Sequence, residues 1–262
     1  MLEKGKKPFH AYPKSTVNKE DLVFGLRPIL EALKAGKDLD KIFVEKGLQN
    51  PVLDEILPIV QERGLNVQYV PVEKLNRLTR KNHQGIVAFL SVINYAKIEN
   101  VVMDAFSKGE DPVIVVLDEI TDVRNFGAIS RSAECAGAHA LLIPQKGSAQ
   151  INSDAMKTSA GALHHIPVCK TDNLFRAVRY LKDSGLKIVA CTEKGDKSMF
   201  TTSLTGPVCL VLGSEESGIS VDILKLADDK TFIPLKGKID SLNVSVAAGI
   251  LLFEIARQRA KE

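Results

Sequence analysis

The chain has 262 residues, of which 45% are hydrophobic and 26% are charged, and its formal net charge is +3. This composition is typical of a globular protein with one large or two moderate domains, and it excludes a largely disordered chain. No apolar run approaches the ~20 residues of a membrane span, and residues 1–20 lack the hydrophobic stretch of a signal peptide. We therefore expect a cytoplasmic protein without a membrane partner.

The four cysteines indicate neither a disulfide framework nor a metal site. They lie far apart, without a C-x-x-C pair or a matching histidine spacing. Such cysteines are typical of reduced, mostly buried thiols, so no metal is expected.

The chain begins with a basic segment. Residues 1–20 contain five lysines and two glutamates, so this segment carries a charge equal to that of the whole chain. The pattern predicts a flexible arm that either contacts nucleic-acid phosphates or is simply solvated. The basic and aromatic side chains of this arm include Lys4, Lys6, Lys7, Lys14, Phe9, His10 and Tyr12.

Residues 21–96 alternate short helices and strands, which predicts a small α/β domain. Helices are predicted at 28–35 and 52–63, and strands at 41–45, 66–70 and 86–93. Residues 97–112 combine a weak helix with a Lys-Gly-Glu-Asp run, and this composition is typical of a linker.

Residues 113–262 contain continuous apolar strands separated by helical stretches, namely VIVVLD, HALLIP, LKIVACT, VCLVL and DDKTFIP. Such strands predict a parallel sheet covered on both faces. Ligands bind at the carboxyl ends of strands in such sheets, here at Asp118, Pro144, Gly213 and Pro234.

The last helix is apolar on most sides, with hydrophobic residues at 244, 246–248, 250–253 and 255. A helix of this kind is buried on most sides. It packs either at the interface of a homodimer, which we expect, or wholly inside one subunit.

The turn after the VCLVL strand has the glycine spacing of a phosphate-binding loop at Gly213 and Gly218, but Ile219 replaces the required lysine. Glu215 and Glu216 would repel a polyphosphate. The turn therefore favours a neutral or cationic ligand.

Three segments carry a resemblance. They are N-x-G-x-x-x-R at 125–131, L-G-x-E-x-x-G at 212–218 and I-P-x-x-G-x-x-x-S-L-N-V-S-V-A at 233–247. In this order they resemble the three motifs of the SpoU (SPOUT, TrmH-type) family of RNA ribose 2′-O-methyltransferases. The segments VFGLRPILEAL at 23–33 and NHQGIVA at 82–88 resemble the small ribosomal-protein-like substrate-binding domain of that family.

The resemblance implies a C-terminal domain with a deep trefoil knot, S-adenosylmethionine as methyl donor, and a homodimer whose active sites are completed across the interface. The two-domain layout is similar to the subgroup that methylates a guanosine in large-subunit (23S) rRNA, so rRNA is the expected substrate. A tRNA substrate and a non-catalytic RNA-binding factor are the alternatives, and DNA is not expected.

The resemblance also implies roles for single residues. The catalytic set is Arg131, Asn125, Glu215, Ser241 and Asn243, and the cofactor-binding set is Gly213, Ile233 and Leu242 with the neighbouring Leu212 and Gly218. Because arginine stays protonated, Arg131 is expected to clamp an RNA phosphate and stabilise the developing alkoxide.

Simpler roles remain open for several of these residues. Arg131 could be a surface residue paired with Glu134, and Asn125 could be the N-cap of its helix. Ser241 and Asn243 could likewise only cap the final helix. In the N-terminal domain, a basic cluster could grip RNA phosphates together with Arg131, or could be plain solvated surface; its members are Arg77, Arg80, Lys81 and His83.

Overall fold

The computed structural model describes residues 22–65 and 67–260. The basic arm predicted at residues 1–20 lies outside this range. Within the described part of the chain, no helix is long and apolar enough to cross a membrane.

The N-terminal part is a four-stranded sheet with helices on both faces. Its strands run in the order β1-β4-β2-β3, with β2 and β3 parallel and the other pairs antiparallel. The elements are β1 (Leu22–Phe24), α1 (Leu26–Lys34), β2 (Leu39–Glu45), α2 (Pro51–Glu62), β3 (Val67–Val70), α3 (Val72–Leu78) and β4 (Ile86–Leu90).

The helical periodicity explains how this unit folds. Helix α1 buries Leu26, Ile29 and Leu33 on one face, and α2 packs beside it over the same side of the sheet. Asn50 is the N-cap of helix α2, and its side chain accepts a hydrogen bond from the Val52 amide at 2.9 Å. Helix α3 covers the opposite face of the sheet through Leu75.

The C-terminal part is an eight-stranded sheet in which every pair of neighbours is parallel. The order is β10-β12-β9-β11-β6-β7-β8-β5. The strands are β5 (Tyr95–Ala96), β6 (Val113–Leu117), β7 (Ala140–Pro144), β8 (Val168–Thr171), β9 (Lys187–Cys191), β10 (Lys197–Ser198), β11 (Val208–Leu212) and β12 (Asp229–Phe232).

Helices cover both faces of this sheet, which confirms the predicted fold class. Strands β6 and β11 lie side by side at its centre, and all ten of their residues are buried. One face carries α4 (Ile98–Ser107), α7 (Leu174–Asp183) and α8 (Val221–Leu226). The other carries α5 (Val123–Cys135), α6 (Ser153–Thr158) and α9 (Val244–Arg259).

The region predicted as a linker packs on the large sheet. Helix α4 buries Ile98 and Val102 in the core beneath that sheet, and β5 pairs with β8 as the edge strand of the sheet. The two sheets are therefore joined by the short stretch 91–94 between β4 and β5. The stretch 97–112 thus contains a helix, as its sequence pattern indicates, and the apolar face of this helix packs on the large sheet.

Candidate functional site

Three loops meet at the carboxyl end of the large sheet. The loop after β6 leads into α5, the turn after β11 spans residues 213–220, and the stretch after β12 leads into α9. The buried carboxylate of Asp118 accepts a hydrogen bond from the Ser220 amide at 2.8 Å. This bond ties the turn after β11 to the end of β6.

The turn after β11 is unusually tight, and this explains its two glycines. A Cβ atom on Gly213 would lie 2.1 Å from the carbonyl carbon of Gly218, so any other residue would force the turn to open. Gly218 adopts a positive φ of 69°, which favours glycine. Backbone bonds between Ser214 and Gly218 in both directions close the turn.

A polar network joins the three motif segments. The Oε1 atom of Glu215 accepts hydrogen bonds from Nδ2 of Asn243 at 2.7 Å and Nδ2 of Asn125 at 3.4 Å. The Nδ2 group of Asn243 also donates to Oδ1 of Asn125 at 2.9 Å, and the Val244 amide donates to Glu215 at 3.3 Å. Residues 90 positions apart in sequence are thus held around one carboxylate.

The structure separates the capping roles of the two asparagines. Asn243 is the N-cap of α9, because its Oδ1 accepts from the Ser245 amide at 3.0 Å. The alternative that Asn125 caps α5 is wrong, since α5 begins at Val123 and Asp122 is its cap, accepting from the Asn125 amide at 2.8 Å. The Asn125 side chain is thereby free to bond Glu215.

A cavity of about 350 Å³ lies between the turn after β11 and the loop before α9. This volume falls in the range of small-molecule sites. Its walls include all five residues predicted to bind a cofactor, together with three of the predicted catalytic residues. These eight are Leu212, Gly213, Gly218, Ile233, Leu242, Glu215, Ser241 and Asn243.

Sequence reasoning missed a third wall of this cavity, formed by Cys191, Thr192 and Glu193 at the carboxyl end of β9. The sequence could have indicated this wall, because a ligand at the carboxyl end of one parallel strand, such as β11, also contacts the loop after the neighbouring strand, here β9. Burial, aided by the nearby Glu193, raises the pKa of the Cys191 thiol to about 12. The thiol is therefore neutral at physiological pH and contributes packing surface.

The charged side chains that line the cavity are all acidic. Among the described residues in its wall these are Glu193, Glu215 and Asp240, with no lysine or arginine. This electrostatic character agrees with the prediction that the turn selects against phosphates and favours a neutral or cationic ligand.

A second cavity, of about 450 Å³, adjoins the first on the α5 side of Glu215. Ser214, Glu215 and Val244 line both cavities, whereas Asn125 lines only the second. The polar network therefore separates the two cavities. The first cavity is lined mainly by the turn after β11 and the loop before α9, and the second lies on the side of α5.

Arg131 lies exposed on α5, six residues after Asn125. Within the described part of the chain it forms no hydrogen bond or ion pair, so the alternative pairing with Glu134 is absent. Glu215 contacts Asn125 and Asn243 but not Arg131. The guanidinium is therefore available to a ligand or to another molecule.

The basic cluster of the N-terminal unit is mostly exposed. Arg77, Arg80 and Lys81 face solvent at and beyond the end of α3. The Lys81 ammonium lies 5.5 Å from the centre of the Phe24 ring. These three side chains can reach phosphates.

His83 does not belong to this exposed set, and its predicted RNA-binding role is corrected. Its side chain is buried, with the Gly85 amide donating to Nδ1 at 3.1 Å and Nε2 lying 3.1 Å from Oδ1 of Asn76. Both ring nitrogens are therefore used, and Nε2 carries the proton. His83 fixes the turn before β4 instead of contacting a ligand.

The comparisons with known proteins agree with this geometry. Residues 112–253 match the model of the SpoU rRNA methylase family, and residues 22–96 match the model described as RNA 2′-O ribose methyltransferase substrate binding. The TrmH family protein YacO of Bacillus subtilis is 32% identical over 239 residues, which cover 91% of this chain and 96% of that protein. A tRNA/rRNA methyltransferase of Mycolicibacterium vanbaalenii, named as uncharacterized, is 38% identical over 91% of this chain and 77% of its own length.

Solved structures give the same result. The SpoU methyltransferase AviRb of Streptomyces viridochromogenes, in complex with AdoMet, superposes with a TM-score of 0.59 at 26% identity, covering 92% of this chain and 91% of that one. The AdoMet-bound rRNA methyltransferase of Sinorhizobium meliloti superposes with a TM-score of 0.58 at 25% identity, covering 90% and 86%.

Proposed function

The chain belongs to the SpoU rRNA methylase family of RNA methyltransferases, and we propose that it methylates a ribose 2′-hydroxyl of RNA, with a guanosine of large-subunit (23S) rRNA as the target. The observation that carries the proposal is the network joining Asn125, Glu215 and Asn243 at the rim of an acidic, partly apolar cavity.

The cavity fits S-adenosylmethionine, the cofactor of this family. Ile219, Ile233 and Leu242 offer apolar wall to an adenine ring, and the tight turn at Gly213 brings backbone close to the ligand. The carboxylates of the wall favour the sulfonium and ammonium charges. When bound, the cofactor supplies an activated methyl group on a cationic sulfur.

The chain's own residues contribute mainly position and charge. Glu215 holds the side chains of Asn125 and Asn243 in one orientation beside the cavity. Alignment of two reactants can supply roughly 7 to 11 kcal/mol of a barrier. The permanently charged guanidinium of Arg131 would stabilise the negative charge that develops on the ribose oxygen as its proton passes to solvent water. The methyl group would move from sulfur to this oxygen, and the broken carbon–sulfur bond would leave a neutral thioether.

The proposal includes a homodimer formed through α9. This helix packs against α5 through a face that buries Ala248, Leu251 and Leu252. On its other side Val246 and Phe253 are 49% and 54% exposed. A second copy seated on this side would remove that apolar surface from water, and it would place the unpaired Arg131 near another subunit.

The substrate preference rests on the N-terminal unit. Arg77, Arg80 and Lys81 present positive charge at and beyond the end of α3, away from the large sheet, and this arrangement is suited to binding the backbone of a large folded RNA. A cytoplasmic location follows from an RNA substrate of this kind.

The test combines binding, assembly and mapping. Calorimetry with S-adenosylmethionine should show binding to the folded protein, and sedimentation should show a dimer. Ribose methylation should then be mapped across rRNA and tRNA from cells with and without the gene. Loss of one rRNA guanosine methyl group is the expected result; loss at a tRNA position would overturn the rRNA assignment, and absence of cofactor binding would overturn the enzymatic function.

A further inference from the structure

We infer that Glu193 recognises the nucleoside part of the methyl donor by accepting hydrogen bonds from its ribose hydroxyls, an inference that rests on the proposed function. Neither the motif segments nor the family resemblance assigned this residue a role. Glu193 lies two residues after β9 and lines the same cavity as Gly213 and Leu242.

The backbone holds Glu193 in a fixed place. The Thr192 amide donates to the carbonyl of Thr231 at 2.9 Å, and the Gly195 amide donates to the carbonyl of Thr192 at 3.0 Å. Gly195 is pressed against β12, where a Cβ atom would lie 2.8 Å from the carbonyl oxygen of Lys230. The turn 192–195 is therefore preorganised, and a preorganised group spends little entropy when it binds.

Of the three carboxylates that line the cavity, Glu193 combines two properties: its side chain has no hydrogen-bond partner among the described residues, and its backbone is held by hydrogen bonds. Glu215 is already engaged by Asn125 and Asn243. Among the described residues, Glu193 has no hydrogen-bond or salt-bridge partner; it is exposed and lines the cavity. Asp240 is unpaired too, but it lies in the exposed stretch 234–242, where no backbone hydrogen bond among described residues holds it.

The position in the sheet selects the ligand group. Strands β6 and β9 are the two neighbours of β11, so Asn125 and Glu193 stand on opposite sides of the Gly213 turn. The reacting end of the donor belongs on the Asn125 side, which leaves its nucleoside for the β9 side. A carboxylate next to a glycine turn in an α/β sheet suits the two adjacent hydroxyl donors of a ribose.

The first experiment measures the affinity for S-adenosylhomocysteine by calorimetry. Glu193→Ala should weaken binding about 10- to 100-fold, because a hydrogen bond to a charged group is lost, and Glu193→Gln should give a smaller loss. Asp196→Asn is the matched control, since it removes the same charge three residues away at an exposed side chain outside the cavity wall. Equal affinities for wild type and Glu193→Ala would overturn the inference.

A second experiment identifies the ligand group. 5′-Methylthioadenosine lacks the amino-acid part, so the loss caused by Glu193→Ala should persist with this probe and disappear with its 2′,3′-dideoxy form. If the loss disappears with methylthioadenosine itself, Glu193 contacts the ammonium group and the inference fails. If the wild-type protein binds none of these nucleosides, the proposed function fails instead, and unchanged thermal midpoints exclude misfolding of the variants.

Discussion

At the scale of single residues, Glu215 is the point on which the site depends, because one carboxylate oxygen accepts three hydrogen bonds from two other segments. Removing the charge in Glu215→Gln places an amide opposite the amides of Asn125 and Asn243 and weakens their fixed orientation. We expect kcat to fall roughly tenfold or more while the variant remains folded.

The adjacent Glu216 supplies the control for this prediction. It is exposed in the same turn but takes no part in the network, so Glu216→Gln should leave kcat unchanged. Steady-state methylation with saturating cofactor distinguishes the two variants. Equal effects of both changes would mean that only the charge of the turn matters.

Arg131 makes the second prediction at this scale. Its side chain has no partner among the described residues, so Arg131→Ala should preserve both fold and cofactor affinity while methylation falls at least 100-fold, roughly the cost of losing a charge-stabilising donor. Arg131→Lys keeps the charge but loses the planar fork, and it should recover only part of the activity. A parallel fall in cofactor affinity would assign Arg131 a structural role.

The sequence predicted which residues lie close together at the site. It predicted less well which hydrogen bonds each side chain forms. Asn125, Glu215 and Asn243 meet as the motif order indicates, yet Asp122 caps α5, a role that had been open to Asn125. His83 was grouped with its basic neighbours, but the turn before β4 buries it. Both differences depend on where an element begins, and local sequence fixes that position only to within a few residues.

At the scale of elements, the tight turn after β11 determines the shape of the cavity. In Gly213→Ala the new methyl carbon would lie 2.1 Å from the backbone of Gly218, so the turn must open. We expect a destabilisation of about 1 to 3 kcal/mol, as for overpacked sites, and loss of measurable cofactor binding. Thermal unfolding and calorimetry check the two effects.

Gly237 is the matched control, because it lies in the loop that forms the facing part of the site and a Cβ there meets nothing closer than 4.0 Å. Gly237→Ala should therefore leave the unfolding midpoint unchanged. If Gly213→Ala were equally well tolerated, the turn would be mobile and the cavity would not be preformed.

The elements themselves were largely predictable, because the long apolar strands carry a strong signal. All of β6 and β11 is buried between two helical layers, as their continuous hydrophobic runs indicate. Strand β5 has two residues and forms only because β8 offers an edge, so no local pattern marks it. Helix α4 had only a weak pattern in the sequence, because the residues on which it packs lie far away along the chain.

At the scale of the whole molecule, the predicted knot and the predicted homodimer stay predictions. The knot is implied by the family resemblance alone, because hydrophobic periodicity carries no information on chain threading. The homodimer is supported by that resemblance and by the exposed apolar side of α9. The relation between the two sheets, in contrast, has a visible physical basis. Asp40 of β2 accepts hydrogen bonds from the phenol of Tyr95 at 2.6 Å and from the ammonium of Lys170 at 2.9 Å.

This cluster is largely closed to solvent. The side chain of Asp40 is 5% exposed and that of Lys170 is 21% exposed, and the Lys170 ammonium lies 4.2 Å from the centre of the Tyr95 ring. Burial, together with the charge of Asp40, raises the pKa of Tyr95, so the phenol stays protonated and donates. A second carboxylate, of Asp38, accepts from the Tyr95 amide at 3.2 Å.

These bonds lie where β2 of the N-terminal sheet meets β5 and β8 of the large sheet, so they should set the angle between the basic cluster and the cavity beside Gly213. Lys170→Met leaves Asp40 buried without its cation and should cost about 3 kcal/mol. Urea unfolding measures this loss, and the double variant Asp40→Asn, Lys170→Met should recover part of it.

A kinetic measurement tests whether this cluster orients the two sheets relative to each other or only stabilises the fold. If the basic cluster binds RNA as proposed, Lys170→Met should raise KM for long RNA, because the cluster is no longer held at a fixed angle, while cofactor affinity measured by calorimetry stays unchanged. Lys230→Met, at an exposed position on β12, should alter neither quantity. If KM is unchanged although stability falls, the cluster serves folding alone, and the RNA itself must fix the angle between the two sheets when it binds.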